Sequence, residues 1–308
     1  MRQAYGTSCL DRIQEKTEEE YYLACGVQNV TKEAAGENFP YERKGKCGSL
    51  FVADVILDNR AELVHSIVGR PDLYSGPDGE ILYESFCRQP EQTLTEAGGA
   101  YACAYLEPGR RALTLFNDAV GNRSVYYFRD GERVYFSTLL AGITCQREKW
   151  AENTAWFDRF YGIPDLRAVS EPRETPYEGI LRLAPGEIAV FTEEGVRRRY
   201  YWDPFAGRKL LTGKTEAEYR ELVTTVFRHC VEDVVRGEKE TGILLSGGLD
   251  SNAVAAYAAP YLARRGRKLY SFTSVPEEKE RYPVRGQFAV EDERSYVERV
   301  RSFHGNLE

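Results

Sequence analysis

Short apolar runs separated by turn-forming residues fill the first two thirds of the chain, and a spacing of three and four takes over in the last third. Leu50–Leu57 (LFVADVIL) reads as a strand. Asp58 is placed to cap a short helix over residues 59–68, with Leu63, Ile67 and Val68 on its apolar side. Asp78 opens a second helix whose apolar positions are Ile81, Leu82, Phe86 and Cys87. Tyr101–Leu106 and Ala112–Phe116 are strands joined through Glu107-Pro108-Gly109-Arg110, a turn-forming string. Val125–Phe128 and Val134–Phe136 flank Asp130-Gly131, a hairpin signal. Ile180–Leu183 turns at Pro185-Gly186 into Ile188–Phe191, and the less regular connector over residues 151–176 holds a helix near Trp156–Phe160. This part of the chain is α+β and rich in antiparallel strands.

The period changes near Leu211. Thr215 and Glu218 form a capping box, and Leu222, Val223, Val226, Phe227, Cys230, Val231 and Val234 then mark one amphipathic helix that is expected to end at Gly237. A strand (Gly242–Leu245), a loop, a helix from about Ser251 and a strand (Leu269–Val275) follow. This βαβ pattern implies parallel pairing. Pro260 is expected to kink or end the helix it falls in. Another loop is expected over Tyr282–Glu293 and a helix over Ser295–Phe303. The change of pattern places a boundary at about residues 203–214, giving domains of residues 1–205 and 206–308.

The chemistry lies in Ser246-Gly247-Gly248-Leu249-Asp250-Ser251, between the buried strand and the start of the following helix. Two glycines let the backbone approach an anion closely. The hydroxyls of Ser246 and Ser251 and the free amides of a helix start can donate to phosphate oxygens. Asp250 carries the wrong charge to touch phosphate but can hold the Mg²⁺ that accompanies it. The spacing is not that of the Walker-A loop. A bare Ser-Gly-Gly would be read as a tight turn; the whole string in this setting points to a nucleotide.

Charge and composition narrow the partners. The net charge of −7, with both signs interleaved and no long basic run, argues against nucleic acid or an anionic membrane. Arg197-Arg198-Arg199 is the best basic candidate and fits a solvated strand face. No apolar stretch approaches the length of a spanning helix. The seven cysteines are scattered, odd in number and without metal spacing, which places the protein in the cytoplasm with reduced thiols.

The six-residue string resembles the pyrophosphate loop of ATP-pyrophosphatases, and Gly242–Val254 (GILLSGGLDSNAV) resembles its asparagine-synthetase branch. Leu269–Val275 (LYSFTSV) is similar to the next strand of that family, which implies Leu245 and Ser274 as contacts to the adenine base. Asp58–Leu63 (DNRAEL), Asp118–Tyr127 (DAVGNRSVYY), Leu181–Ile188 (LRLAPGEI) and Tyr200–Pro204 (YYWDP) resemble the family's amidotransferase half, in order. The fold so implied is an N-terminal nucleophile-type αββα sandwich followed by the start of a doubly wound α/β ATP-pyrophosphatase domain. The function so implied is an ATP- and Mg²⁺-dependent, AMP-forming ligase that joins a small-molecule carboxylate to an amine donor, with a homodimer as the candidate assembly.

The chain departs from the family where glutamine would be hydrolysed. A glutaminase of this kind uses a cysteine at the mature N-terminus. Residue 2 is Arg2, Cys9 would need removal of the residues before it, and Cys25 reads as an interior strand residue. The family's Asn-Gly-Glu falls on Asp54-Val55-Ile56, its carboxylate-clamping arginine near Gln28 or Asn29, and its amino-binding aspartate on Ala100. No catalytic residue is therefore assigned, and the first domain is expected to be a scaffold. The second Gly-rich loop of the family is not found after Ser251, so the chain is expected to be a piece of a longer one. Two other readings stay open: a β-lactam or macrolactam synthetase-like cyclase, and a non-catalytic nucleotide-binding remnant.

Overall fold

The computed structural model describes residues 10–45, 48–162, 171–206, 210–275 and 292–308. The chain divides into two units between residues 209 and 210.

The first unit begins with an antiparallel hairpin, β1 (Arg12–Thr17) and β2 (Tyr22–Val27). Then come β3 (Tyr41–Arg43), β4 (Ser49–Leu57), α1 (Arg60–Leu63), α2 (Asp78–Arg88), α3 (Pro90–Glu96), β5 (Gly99–Glu107) and β6 (Ala112–Asn117). The unit closes with β7 (Tyr126–Asp130), β8 (Arg133–Ser137), α4 (Ala141–Thr144), α5 (Thr154–Gly162), β9 (Leu181–Arg182), β10 (Glu187–Thr192) and β11 (Gly195–Tyr200). Six strands form one antiparallel sheet in the order β11-β10-β6-β5-β4-β3, and β8-β7-β9 form a second.

Four successive residues of β4, Leu50 to Ala53, are buried because both faces of the large sheet are covered. On one face Phe86 of α2 stacks on Phe116 of β6 at 4.7 Å, and Tyr83 stacks on Phe51 at 5.5 Å. On the other, Leu23, Cys25 and Val27 of β2 join the same core, and Tyr127 of β7 meets Phe191 of β10 edge-on. With α4 packed on the second sheet, the layers run helix, sheet, sheet, helix.

Asp118 explains why its loop has the sequence it has. Its buried carboxylate accepts the N–H groups of Tyr101 (3.3 Å), Val120 (3.2 Å), Asn122 (2.9 Å) and Arg123 (2.9 Å). Gly121 turns with φ 75°, and a Cβ there would lie 2.9 Å from the Pro185 ring, so this loop requires glycine twice over.

Two local expectations change. The helix after β4 has Asn59, not Asp58, at its N-cap, and the Asn59 side chain bonds Gly98 N–H and the Glu96 carbonyl instead of its own helix. Beyond Leu63 it widens into a π-helical turn, Val64–Val68, which still buries Ile67 and Val68. The turn at Pro185-Gly186 forms, and it carries the chain from one sheet to the other: β9 pairs with β7 and β10 with β6. Glu187, fully buried beside it, is held by Arg173 at 2.8 Å and accepts the Ala184 N–H.

The second unit contains α6 (Glu216–Val234), β12 (Thr241–Leu244), α7 (Leu249–Ala263), β13 (Leu269–Phe272) and α8 (Arg294–Arg301). Strands β12 and β13 are parallel, and Leu307 bridges Leu269 in parallel on β13. The Thr215–Glu218 capping box forms. Helix α6 ends at Val234, before Gly237. Helix α7 runs through Pro260 for another three residues; Ala256, whose carbonyl loses its donor there, is exposed and can be solvated. The apolar stripe of α6 is wider than its packing. Val231 and Phe227 meet the core and Tyr257 of α7, whereas Val223, Val226 and Val234 are exposed. The loop expected over Tyr282–Glu293 lies almost wholly outside the described residues.

Candidate functional site

Leu245 directly follows β12, and the six-residue loop comes next. Leu245 is anchored three ways: its side chain is in the core of the unit, its N–H bonds the Phe272 carbonyl at 2.9 Å, and its carbonyl accepts the Thr273 hydroxyl at 2.9 Å. The loop therefore springs from a fixed point. Ser246 and Ser251 close it. Their hydroxyls lie 3.0 Å apart, Ser251 Oγ accepts the Ser246 N–H at 3.2 Å, and Ser246 Oγ accepts the Gly248 N–H at 3.1 Å. Gly248 is the extended N-cap of α7 and makes no side-chain cap. The amides of the first helical turn, at Leu249, Asp250 and Ser251, have no acceptor within the helix and leave its positive end open to an anion.

The loop also passes a spatial test for a phosphate cradle. A Cβ on Gly248 would lie 3.2 Å from Ser246 Oγ, and one on Gly247 would lie 3.2 Å from Tyr296 Cβ. Neither glycine has a left-handed φ, so a Cβ at either position would be opposed by these close contacts, which the neighbours would have to relieve by a few tenths of an ångström, and not by the backbone conformation. The residues present thus suit the phosphates of a nucleotide; Asp250, exposed in the first turn of α7, is the group that could hold an accompanying Mg²⁺.

The structure brings Ser246, Gly247, Gly248, Asp250 and Ser251 together. Ser274 is exposed just beyond β13, the strand adjacent to β12. Leu245 is different. Its side chain is in the core and its residue surface is 2% exposed. Tyr296, on α8, was not singled out in the sequence; nothing local marks an aromatic residue so far along the chain as a neighbour of the loop.

In the first unit, a cleft of about 1400 Å³ is lined by Cys25, Asp54, Cys103 and Arg123, among others. Cys25 is an interior residue of β2, buried, and its thiol contacts the Ala53 carbonyl at 3.3 Å. Burial, with the nearby charges of Asp54 and Glu37, pushes that thiol up to about 12, so it is held as S–H near neutrality. Asp54, which stands where the resemblance expects the asparagine of Asn-Gly-Glu, pairs with Arg123 at 3.3 Å; its carboxylate is an acceptor and has no N–H to donate. Ala100 stands opposite Ile56 in the sheet. Arg12, which bonds Asn29, is also committed to the carbonyls of Ala34 and Glu37. Cys9 lies outside the described residues.

Two family models match the chain in tandem: a glutamine amidotransferase domain over residues 58–202 and asparagine synthase over residues 222–305. The glutamine-hydrolyzing asparagine synthetase 3 of Bacillus subtilis (strain 168) is 24% identical over 232 residues, 74% of this chain and 36% of that protein. Amidase chry2 of Gibberella zeae is 23% identical over 232 residues, 74% of this chain and 33% of that protein. The chain thus spans about a third of the length of these curated relatives. Among solved structures, the glutamine phosphoribosylpyrophosphate amidotransferase of B. subtilis aligns with TM-score 0.35 at 13% identity, over 85% of this chain and 52% of that one. A class-II glutamine aminotransferase domain protein of Silicibacter pomeroyi aligns with TM-score 0.31 at 12% identity, over 61% and 89%. The αββα layers and the parallel βαβ unit, in the order of the two matched models, are those of a class II amidotransferase-type domain and the start of an asparagine-synthase domain. The chain belongs to the asparagine synthetase family.

Proposed function

We propose that the protein is an ATP-dependent, AMP-forming amide ligase that activates a small-molecule carboxylate and transfers it to an amine without hydrolysing glutamine. The observation that carries this reading is the Ser246–Ser251 loop: two glycines at which a Cβ would be crowded, two paired hydroxyls and an open helix start. ATP bound there would supply the leaving group that makes the carboxylate reactive. Ser246, Gly247, Gly248 and Ser251 would grip its phosphates, and Asp250 its Mg²⁺. Leu245 and Ser274 are the residues proposed beside the base. Residues 1–205 would act as a scaffold, because Cys25 is a buried thiol and Asp54 offers no donor. The cytoplasm is the compartment this chemistry and the reduced thiols suit.

The test is carboxylate-dependent ATP–pyrophosphate exchange in the complete protein. Asp250→Ala should abolish it, and exchange that survives the substitution would overturn the reading. Incubation with glutamine should release no glutamate; robust release would refute the scaffold role.

A further inference from the structure

We propose that Tyr296 is a positioning residue for the phosphate loop: its ring, carried on α8, buttresses Gly247 and holds the loop in the shape that receives a nucleotide's phosphates. The proposal rests on the nucleotide-binding reading of the loop and adds to it a residue from outside the motif.

A Cβ built on Gly247 would meet Tyr296 Cβ at 3.2 Å, Cγ at 3.3 Å and Cδ2 at 3.5 Å. Because Gly247 does not adopt a left-handed φ, any residue could take its backbone conformation. What crowds a side chain there is the tyrosine, whose Cβ, Cγ and Cδ2 lie within 3.5 Å of where the new Cβ would sit. The ring is in turn held by its neighbour. Val297 is buried in the core of the unit, and the N–H groups of Tyr296 and Val297 both reach the Glu293 carbonyl, at 3.0 and 3.1 Å. Helix α8 is thus anchored by Val297 and delivers the next-door ring to the loop. Tyr296 is 50% exposed, so burial of the ring as a whole does not account for its position. A loop with two consecutive glycines has unusual backbone freedom, and a fixed wall on one side removes part of it before a ligand arrives.

The experiment is calorimetric titration of the whole chain with Mg·ATP, for the wild type, Tyr296→Phe, Tyr296→Ala, Gly247→Ala and the double variant Gly247→Ala/Tyr296→Ala. Phe keeps the ring and should bind within about twofold of wild type. Tyr296→Ala should bind about tenfold more weakly with an unchanged unfolding midpoint, since a half-exposed ring contributes little to the fold. Gly247→Ala should lose at least as much, and the double variant should be no weaker than Tyr296→Ala, because the clash disappears with the ring. Wild-type affinity in Tyr296→Ala, or losses that multiply in the double variant, would overturn the proposal. If the wild-type chain binds no Mg·ATP, the nucleotide reading itself fails. The buttress is then decided on stability: Gly247→Ala should lower the unfolding midpoint with Tyr296 present and not in the Tyr296→Ala background, and equal lowering in both would overturn it.

Discussion

Glu37 offers a sharp test of the packing in the first unit. Its carboxyl is buried, 7% exposed, with Oε1 accepting the Gly79 N–H at the start of α2 (2.8 Å) and Oε2 accepting the Tyr41 hydroxyl (2.7 Å). Burial raises its pKa from the usual 4.5 to about 7; the two donors and Arg12 oppose the rise, and the charge of Asp78 adds to it. A carboxyl whose folded pKa lies above its unfolded one keeps its proton in the fold after the unfolded chain has lost it. Its stabilising contribution is therefore fully present below about pH 4.5, falls as pH rises, and is gone above about pH 7. The interval between the two values corresponds to about 3 kcal/mol. Glu37→Gln removes this dependence while keeping the shape: the amide oxygen can accept from Gly79, and the amide nitrogen can donate to Tyr41, whose hydroxyl turns from donor to acceptor. Urea denaturation of both proteins between pH 4.5 and 8 should show near-equal stability at the acid end. At pH 8 the variant should lead by up to about 3 kcal/mol, or about 1.5 M in midpoint at an m-value of roughly 2 kcal/mol/M. Other titrating groups are common to both proteins and cancel in the comparison. A variant that keeps the wild-type pH profile, or is the less stable protein at pH 8, would refute the argument.

Asp118→Asn should cost roughly 3 kcal/mol, since an amide has one acceptor oxygen for four N–H groups now shared by two; a midpoint within error of wild type would count against that loop account. Thr215→Ala should cost about 1 kcal/mol of the second unit's stability, seen as an earlier helical melt by circular dichroism, because it removes one half of the capping box. Val231→Ala should destabilise that unit by roughly 2 kcal/mol, whereas Val223→Ala should stay within about 0.5 kcal/mol, since only the first is buried. Equal effects of the two substitutions would mean that the apolar stripe of α6 is packed differently.

What was legible in the sequence is what neighbours along the chain decide. The Thr215–Glu218 box, the Asp130-Gly131 hairpin and the β12–loop–α7 unit each depend on residues a few positions apart, and each formed where expected. What was missed depends on distant partners. Pro185-Gly186 was legible as a turn, but not that it joins two sheets, which only β7 and β6 decide by pairing with the strands on either side of it. The stripe of α6 has the right period, but only packing reveals that Val231 is covered and Val223 is not. Helix α3 went unread because Gln92, Thr93 and Thr95 give it little apolar signal, although Thr93 and Leu94 are buried. Within the candidate site, the motif named its own residues but could not name Tyr296, and it could not reveal that Leu245 is spent on the core.

The internal bonding of the loop says what kind of ligand can open it. Ser246 and Ser251 already satisfy one another, so a neutral ligand would trade one ordinary hydrogen bond for another and gain almost nothing. A phosphate oxygen offers a charge-assisted bond, worth about 1.5–3 kcal/mol against about 0.5–1.5 kcal/mol for a neutral one, and it also meets the open amides at the start of α7. The balance therefore favours a multiply charged anion. Asp250 adds a condition: its carboxylate, exposed in the same turn, repels a bare anion and attracts one that arrives with a divalent cation between them. On the proposed reading of the site, hydroxyl pairing, helix start and carboxylate together suit a metal-complexed polyphosphate, before the base or the acyl group of any substrate is considered.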